Sequence, residues 1–234
     1  MTWTRHKSGA GWRILDDGRI VLEHGVNDAS IGFRQVLRLD ADSAVRTRGE
    51  PVTARTLIDE YGPCIEAAAM VFGLPASWVA AMVTIEAVKI AGTPSFDPIS
   101  IRDEDYAAKK ISRELERYRD RPHRVSAGLM QTLLSTARLM QARHPIPGLL
   151  YGAGGTLDLS DLCVPERSLY WGGAYMRYQA DRFGADPVLL VGAYNAGGLY
   201  ETTANPWRLR TYGRDRIAKF AAYHNDILEV LKCP

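Results

Sequence analysis

The chain has 234 residues, of which 46% are hydrophobic and 24% are charged, a composition that allows one sizeable hydrophobic core. Its 29 basic and 27 acidic residues nearly balance, so we expect no nucleic acid among its partners. The three cysteines (Cys64, Cys163 and Cys233) lie far apart without metal-ligand spacing, so we expect neither a disulfide framework nor a bound metal.

The amino-terminal sequence MTWTRHKSGAGWRILDDG contains no apolar segment typical of a secretory signal. Pro75 and Glu86 interrupt the longest apolar stretch of the chain, so we expect no membrane span. The sequence therefore predicts a protein made in the cytoplasm without a signal peptide. If the protein acts outside the cytoplasm, another agent must release or carry it there.

Residues 1–50 are predicted to form a β-rich amino-terminal extension. Apolar and polar residues alternate on both sides of Asp16-Asp17-Gly18, a pattern that predicts a β-hairpin. A less regular alternation around Leu37 predicts one more strand. We assign this extension no role from the sequence, since wall binding, partner docking and a structural clasp remain equally open.

Residues 53–234 are predicted to form a single α-helical domain, because the apolar spacing changes from two to between three and four. One of its helices contains MVTIEAVKI (residues 82–90) and is expected to end at Gly92. The other predicted helices cover residues 53–71, 104–119, 133–143, 165–183, 187–194 and 215–231. The predicted fold class is therefore mainly α, with a small β-hairpin extension at the amino terminus.

Glu86 is the one carboxylate in the apolar MVTIEAVKI segment. On a helix, four of the nearest positions on its face are apolar: Val79, Met82, Val83 and Ile90. Loss of hydration disfavours the charged form of a carboxyl group and suits a proton donor. Alternatively, Glu86 lies at the edge of the apolar face and pairs with Lys89. The helix alone leaves both interpretations open.

Two segments downstream of Glu86 favour the first interpretation. Residues 126–131 read SAGLMQ and residues 191–198 read VGAYNAGG. In this order after a helical glutamate, the segments resemble the lysozyme-like transglycosylase superfamily, which includes the soluble lytic transglycosylases and the goose-type lysozymes. The resemblance covers roughly residues 74–200 and leaves residues 1–50 unexplained. It implies a lysozyme-like α-helical domain that works without a cofactor.

The resemblance implies that Glu86 is the general acid that protonates the glycosidic oxygen. It implies substrate contacts from Gly128, Leu129, Met130, Gln131, Tyr194 and Asn195. Tyr175 is a further candidate, because a tyrosine ring on that helix could stack on a sugar. Structural alternatives remain open: Gly128 in a helix-entry turn, Met130 in the core, and Asn195 or Gly197 in a helix cap.

Two positions depart from the family pattern. Ala87 stands where the family usually has a serine or threonine directly after the glutamate, and Ser168 stands where it often has asparagine. The first change removes a hydroxyl group that could contact the acid or the substrate. Neither change affects the proton donor.

The resemblance leaves the reaction outcome open. A lytic transglycosylase is expected to need one carboxyl group, because the substrate closes a 1,6-anhydro ring with its own hydroxyl. A hydrolase of the goose type is expected to use a downstream aspartate that holds water, for which Asp97 and Asp103 are the candidates. Asp97 lies in a proline-framed loop, where a plain turn or cap role is the alternative.

The leading hypothesis is a peptidoglycan-cleaving glycosidase that acts on the MurNAc–GlcNAc β-1,4 bond of the bacterial cell wall. The partners would be glycan strands, and the missing export signal suggests a phage endolysin or a virion-associated enzyme. Two alternatives are a non-catalytic glycan-binding or virion structural module, which the change at Ala87 would suit, and a chitinase-like hydrolase. The sequence leaves the oligomeric state open.

Overall fold

The computed structural model describes residues 4–5, 11–23, 37–104, 111–112, 124–145, 155–203, 208–211 and 215–232. Within these residues the fold is mainly α, as the sequence predicts. The helices are α1 (Val52–Phe72), α2 (Ala76–Glu86), α3 (Leu134–Arg143), α4 (Leu159–Leu162), α5 (Pro165–Phe183), α6 (Pro187–Ala196) and α7 (Arg216–Lys232).

Short antiparallel strands accompany the helices. They are β1 (Thr4–Arg5), β2 (Gly11–Ile14), β3 (Ile20–Leu22), β4 (Leu37–Leu39), β5 (Val45–Thr47), β6 (Val88–Lys89), β7 (Phe96–Asp97), β8 (Ile101–Asp103), β9 (Ile111–Ser112), β10 (Val125–Ala127) and β11 (Thr132–Leu133). The sheet orders are β1-β2-β3, β4-β5, β6-β7 and β11-β10-β8-β9.

The chain divides into two compact units. Unit 1 contains Met1–Ile58, Ala80–Ile85 and Gln179–Pro234, and unit 2 contains Asp59–Val79 and Glu86–Tyr178. The amino-terminal strands are thus grouped with the last two helices. Because compactness does not delimit an independently folding domain, the predicted division into residues 1–50 and 53–234 stays a prediction.

In unit 1, the hairpin predicted around Asp16-Asp17-Gly18 is present as β2 and β3. Gly18 adopts a φ of +88°, which favours glycine in the turn. The backbone N–H of Leu15 donates to the Arg19 carbonyl at 2.8 Å and closes the ladder before the turn. The strand predicted around Leu37 is β4, whereas β5 was not predicted.

The side chain of Asn225 on α7 joins two of these strands. Its Oδ1 accepts from the Ile20 N–H at 2.7 Å, and its Nδ2 donates to the carbonyls of Ile20 and Val45 at 2.9 and 2.7 Å. The Glu23 N–H donates to the Gly11 carbonyl and the Leu15 N–H donates to the Arg19 carbonyl. Because hydrogen-bonded and non-hydrogen-bonded pairs alternate along an antiparallel ladder, the N–H and carbonyl groups of Ile20 point away from β2. Asn225 therefore satisfies backbone groups at a strand edge.

An ion pair lies beside this amide. Arg46 on β5 is buried, and its Nε donates to Asp226 Oδ1 at 2.7 Å, while its Nη2 bonds to Glu229. Thr47 donates its hydroxyl group to the same Asp226 carboxylate. One face of α7 thus holds β3 and β5 through the buried side chains of Asn225 and Asp226 and the exposed side chain of Glu229.

In unit 2, helix α2 ends at Glu86, and not at Gly92 as predicted. The chain turns after Glu86, and Val88 and Lys89 of β6 pair with Asp97 and Phe96 of β7. Gly92 lies in the connecting turn with a φ of +77°. Ile90 therefore does not share a helix face with Glu86, because the helix has already ended.

The helix predicted over residues 104–119 is wrong at Ile111–Ser112. These two residues form β9, which pairs with β8 in the four-stranded sheet. Residues 105–110 and 113–119 lie outside the described residues. The spacing of charges that suggested a helix is a property of the local sequence, whereas a strand is stabilised by pairing with another strand, here β8.

Candidate active site

Glu86 is buried at the carboxyl end of α2, with 4% of its surface exposed. The last carbonyls of a helix have no partner within the helix. Arg102 on β8 supplies one, since its Nη2 donates to the Glu86 carbonyl at 3.0 Å. The carboxylate predicted to be the proton donor thus projects from a helix end that a strand residue holds.

Asp97 enters the same part of unit 2 through the β6–β7 hairpin. It is the direct partner of Val88, which lies two residues after Glu86. Its side chain is buried, and its Oδ1 accepts from the Ile99 N–H at 3.2 Å. The turn role that the sequence left open is therefore observed, and it does not exclude a second role for the carboxylate.

The charge of Asp97 acts on two neighbouring side chains. Burial raises the pKa of the Cys163 thiol to about 11, and the charges of Asp97 and Asp158 contribute to this shift. Burial also raises the pKa of Tyr61 on α1, with contributions from nearby charges that include Asp97. The Asp97 carboxylate is thus close enough to α1 and to Cys163 to affect their ionisation.

Asp103 lies at the end of β8 and pairs with Val125 on β10. Its side chain is 2% exposed. The two candidates for a second acid therefore occupy different strands, and only Asp97 lies in the hairpin that follows Glu86.

The GLMQ segment forms the turn between β10 and β11, and not the entry to a helix. Gly128 has a φ of +75°, and a Cβ placed there would lie 1.8 Å from the Leu162 carbonyl oxygen and 2.6 Å from Ser168 Oγ. Only glycine fits this approach of two backbones. The N–H of Gly128 donates to the Ser100 carbonyl at 3.0 Å.

Gln131 uses its amide group inside the protein. Its Nε2 donates to the Gly128 carbonyl at 2.8 Å and lies 3.2 and 3.1 Å from the carbonyl and hydroxyl oxygens of Ser100. Its Oε1 lies 3.0 Å from the hydroxyl group of Ser126. The backbone of Gln131 has a φ of +45°. The side chain predicted to contact the substrate therefore fastens the turn.

Leu129 and Met130 are fully buried, so their side chains belong to the core. The Met130 N–H donates to Ser168 Oγ at 3.1 Å, and a Cβ at Gly172 would lie 2.4 Å from Met130 Cγ. The Met130 side chain fills the space beside Gly172, and its predicted contact with the substrate stays a prediction. Ser168 anchors the turn from α5 and is fully buried.

Tyr175 on α5 is half-buried and stacks with Tyr178, with ring centroids 6.2 Å apart and planes inclined by 21°. The Arg143 guanidinium lies over the Tyr178 ring at 4.8 Å. The aromatic pair is therefore accessible in part, as a sugar-stacking platform requires. Its substrate role stays a prediction.

Tyr194 and Asn195 lie at the end of α6 in unit 1. Tyr194 is buried and Asn195 is half-buried. Gly197 follows as a left-handed C-cap with a φ of +77°, so the cap role that the sequence left open belongs to this glycine. That Tyr194 and Asn195 contact the substrate stays a prediction.

Among the described residues, no three His, Cys, Asp or Glu side chains are grouped so that they could hold a metal ion. Within the described part of the chain, no single helix is long and apolar enough to span a membrane. Helices α1 and α2 reach the required length and hydrophobicity only when they are counted together, and they are bent by 119° with respect to each other.

Three residues of the site were not predicted as such: Arg102, Ser100 and Ser126. Their side chains form hydrogen bonds with main-chain or side-chain groups in unit 2. Ser126 belongs to the SAGLMQ segment, whereas Arg102 and Ser100 lie outside both quoted motifs. Their positions depend on the pairing of β8 with β10, which the sequence did not indicate.

Comparison with known families agrees with this architecture. Residues 107–219 match the family model of the transglycosylase SLT domain. The segment covers just under half of the chain and includes the GLMQ turn, Tyr175, Tyr194 and Asn195. Residues 107–219 are therefore similar to the transglycosylase SLT domain.

Glu86, Asp97 and Asp103 precede the matched segment, so the family match does not test their roles. The solved structures that are similar to this chain include two lytic transglycosylases. An inactive mutant of the lytic transglycosylase Slt from Pseudomonas aeruginosa has 19% identity and a TM-score of 0.40, with coverage of 73% of this chain and 22% of its own.

The second structure is the 70 kDa soluble lytic transglycosylase from Escherichia coli, with 21% identity, a TM-score of 0.38, and coverage of 60% of this chain and 18% of its own. The present chain thus spans about a fifth of the length of either structure. A search of curated proteins gave no match.

Proposed function

We propose that this protein is a peptidoglycan lytic transglycosylase that cleaves the MurNAc–GlcNAc β-1,4 bond, with Glu86 as the general acid. The observation that carries the proposal is the buried carboxylate of Glu86 at the end of α2 in a chain with an SLT domain. The substrate would be the glycan strand of the bacterial cell wall. Association with a phage particle stays a prediction.

The proposed reaction needs a single protein carboxyl group. Glu86 donates its proton to the glycosidic oxygen as the bond from that oxygen to C1 breaks, and the substrate's acetamido group supports the developing positive charge. The 6-hydroxyl group then bonds to C1 and returns its proton to the Glu86 carboxylate. The product has a 1,6-anhydro end, and the enzyme recovers its protonated acid.

The position of Asp97 supports a second candidate reaction, the hydrolysis of the same bond. This buried carboxylate lies in the hairpin that directly follows Glu86. A water molecule held there could attack C1 and give a reducing end, provided that the two carboxyl groups are about 6.5–9.5 Å apart, as inverting glycosidases require.

The products distinguish the two reactions. Purified peptidoglycan should be digested in water enriched in heavy oxygen, and the released muropeptides should be analysed by mass spectrometry. We expect anhydro products without the label, each lighter by one water than the corresponding reducing product. Labelled reducing ends that disappear in Asp97→Asn would establish the hydrolase instead, and no products at all from the wild type would refute both reactions.

A further inference from the structure

We propose that Arg102 is a positioning residue for Glu86 and fixes the helix end from which the proton donor projects. The proposal rests on the proposed function of Glu86. It assigns Arg102 no contact with the substrate.

The first argument is the geometry of the helix end. The chain changes from helix α2 to strand β6 within two residues of Glu86, so the peptide group after Glu86 has no neighbour in a continuing helix. Its carbonyl instead accepts from Arg102 Nη2 at 3.0 Å. Because this carbonyl and the side chain share one Cα, a bond that orients the carbonyl also restricts the direction of the carboxyl group.

The second argument is that Arg102 is itself held in place. It is the central residue of β8, where it pairs with Ser126 on β10 and with Ile111 on β9. Its side chain is only 15% exposed, and its Nη1 lies 3.9 Å from Glu104 Oε1. A guanidinium group in such a setting is a stiff donor, and a bond from a charged donor is stronger than one between neutral groups.

The third argument is the connection to the GLMQ turn. The Ser126 hydroxyl group lies 2.8 Å from Glu104 Oε1 and 3.0 Å from Gln131 Oε1. Polar contacts therefore run from the Glu86 carbonyl through Arg102, Glu104 and Ser126 to the turn. In this arrangement, Arg102 keeps the helix end in register with a turn that the sequence resemblance places at the substrate.

Loss of this bond should affect the chemical step more than binding. Misplacement of a catalytic group by about 1 Å can lower the rate by about 100-fold. The described contacts of Arg102 are with the Glu86 carbonyl and the Glu104 carboxylate. Arg102 is not one of the residues predicted to contact the substrate, so its substitution removes none of those predicted contacts. We therefore expect Arg102→Met to lower kcat by about 10- to 100-fold and to leave KM within about twofold.

The experiment compares Arg102→Met, Arg102→Lys and a matched control, Arg138→Met. Arg138 is also half-buried in unit 2 and also donates to one backbone carbonyl, that of Leu157 at 2.8 Å. The initial rate of anhydro-muropeptide release from soluble peptidoglycan strands gives kcat and KM. Binding to insoluble peptidoglycan is measured in a Glu86→Gln background, and thermal unfolding verifies that each variant is folded.

We expect Arg102→Lys, which keeps the charge but loses the planar donor, to recover kcat to within about 3- to 10-fold of the wild type. Arg138→Met should keep kcat within about twofold. The proposal is overturned if Arg102→Met keeps the wild-type kcat, if KM or binding accounts for its loss, or if the control loses as much.

If Arg102→Met does not fold, Arg102→Lys alone decides, and a kcat equal to that of the wild type contradicts the proposal. A wild type that releases no products would overturn the proposed function, and this inference with it. A wild type that is active, with Arg102 variants that are equally active, overturns only the inference.

Discussion

Each unit of the protein uses one buried side-chain amide to bind several backbone groups, but the two amides join very different parts of the chain. In unit 1, Asn225 binds Ile20 and Val45, which precede it by 205 and 180 residues. In unit 2, Gln131 binds Gly128 and Ser100, which precede it by 3 and 31 residues. The first amide closes a long-range contact, and the second fastens a local turn.

The difference indicates what each region requires for its structure. In unit 1, strands from residues 1–50 are bound to the last helix, and we expect these strands to act as a structural clasp. The turn in unit 2 depends on the Gln131 amide and on two nearby serines, Ser100 from 31 residues earlier and Ser168 on α5. We expect substitutions in the two regions to differ in the size of their effect and in what they affect.

The largest effect on stability is expected from Asn225→Ala. The substitution leaves the N–H and carbonyl groups of Ile20 and the carbonyl group of Val45 without their amide partner in a buried setting. We expect a loss of about 3–5 kcal/mol in the free energy of unfolding, measured with urea. Leu231→Ala on the exposed face of the same helix should cost less than about 0.5 kcal/mol, and an equal cost would contradict the clasp.

The next effect tests the turn of unit 2. Gly128→Ala places a Cβ 1.8 Å from the Leu162 carbonyl oxygen, in addition to the strain of a positive φ. We expect a loss of about 3 kcal/mol or more. Gly155→Ala is the matched control, because Gly155 has a φ of +70° with nothing within 4 Å of the added atom. That control should cost about 1–2 kcal/mol, and the two substitutions would cost the same only if the close approach were absent.

A smaller effect is expected from Gln131→Glu, which keeps the shape and the acceptor but removes the N–H donors to Ser100 and Gly128. We expect a loss of about 2 kcal/mol in unfolding free energy. Binding to insoluble peptidoglycan, measured in a Glu86→Gln background with the variant folded, should stay within about twofold. Loss of binding at unchanged stability would instead support the substrate contact that the sequence suggested.

The smallest effect concerns the charge of Asp97. The thiol pKa of Cys163 is about 11, raised by burial and then by the charges of Asp97 and Asp158. Because the thiolate is the reactive form, alkylation of Cys163 by iodoacetamide should accelerate about tenfold per pH unit between pH 8 and pH 10. Asp97→Asn should lower this pKa and increase the rate several-fold at pH 9, as followed by peptide mass spectrometry. An unchanged rate in Asp97→Asn would place the Asp97 carboxylate away from Cys163.

The sequence predicted well those elements that local pattern determines. The hairpin around Gly18, the position of Glu86 on a helix, and the importance of GLMQ all follow from short segments and a family resemblance. The alternation from Trp12 to Leu22 is a local property, and so is the helical spacing of α5 and α7. The mainly α class was therefore predictable.

The rest depended on pairing across the chain. The helix end at Glu86 is determined by the pairing of β6 with β7, and the position of Arg102 by β8 and β10. Asn225 lies in an ordinary helical pattern, and its importance follows only from strands about 180–205 residues earlier. The sequence resemblance selected Gln131 as a substrate contact, whereas its observed bonds are within the protein, because a buried amide must satisfy its own donors.

The most direct test of the central claim is the release of muropeptides by Glu86→Gln compared with the wild type. Glu66→Gln, an exposed position on α1, is the matched control. We expect the wild type and Glu66→Gln to release anhydro-muropeptides at similar rates, and Glu86→Gln to lose at least about 100-fold, since an amide cannot donate the acid proton. Undiminished release by a folded Glu86→Gln variant would contradict the role of Glu86 as the general acid.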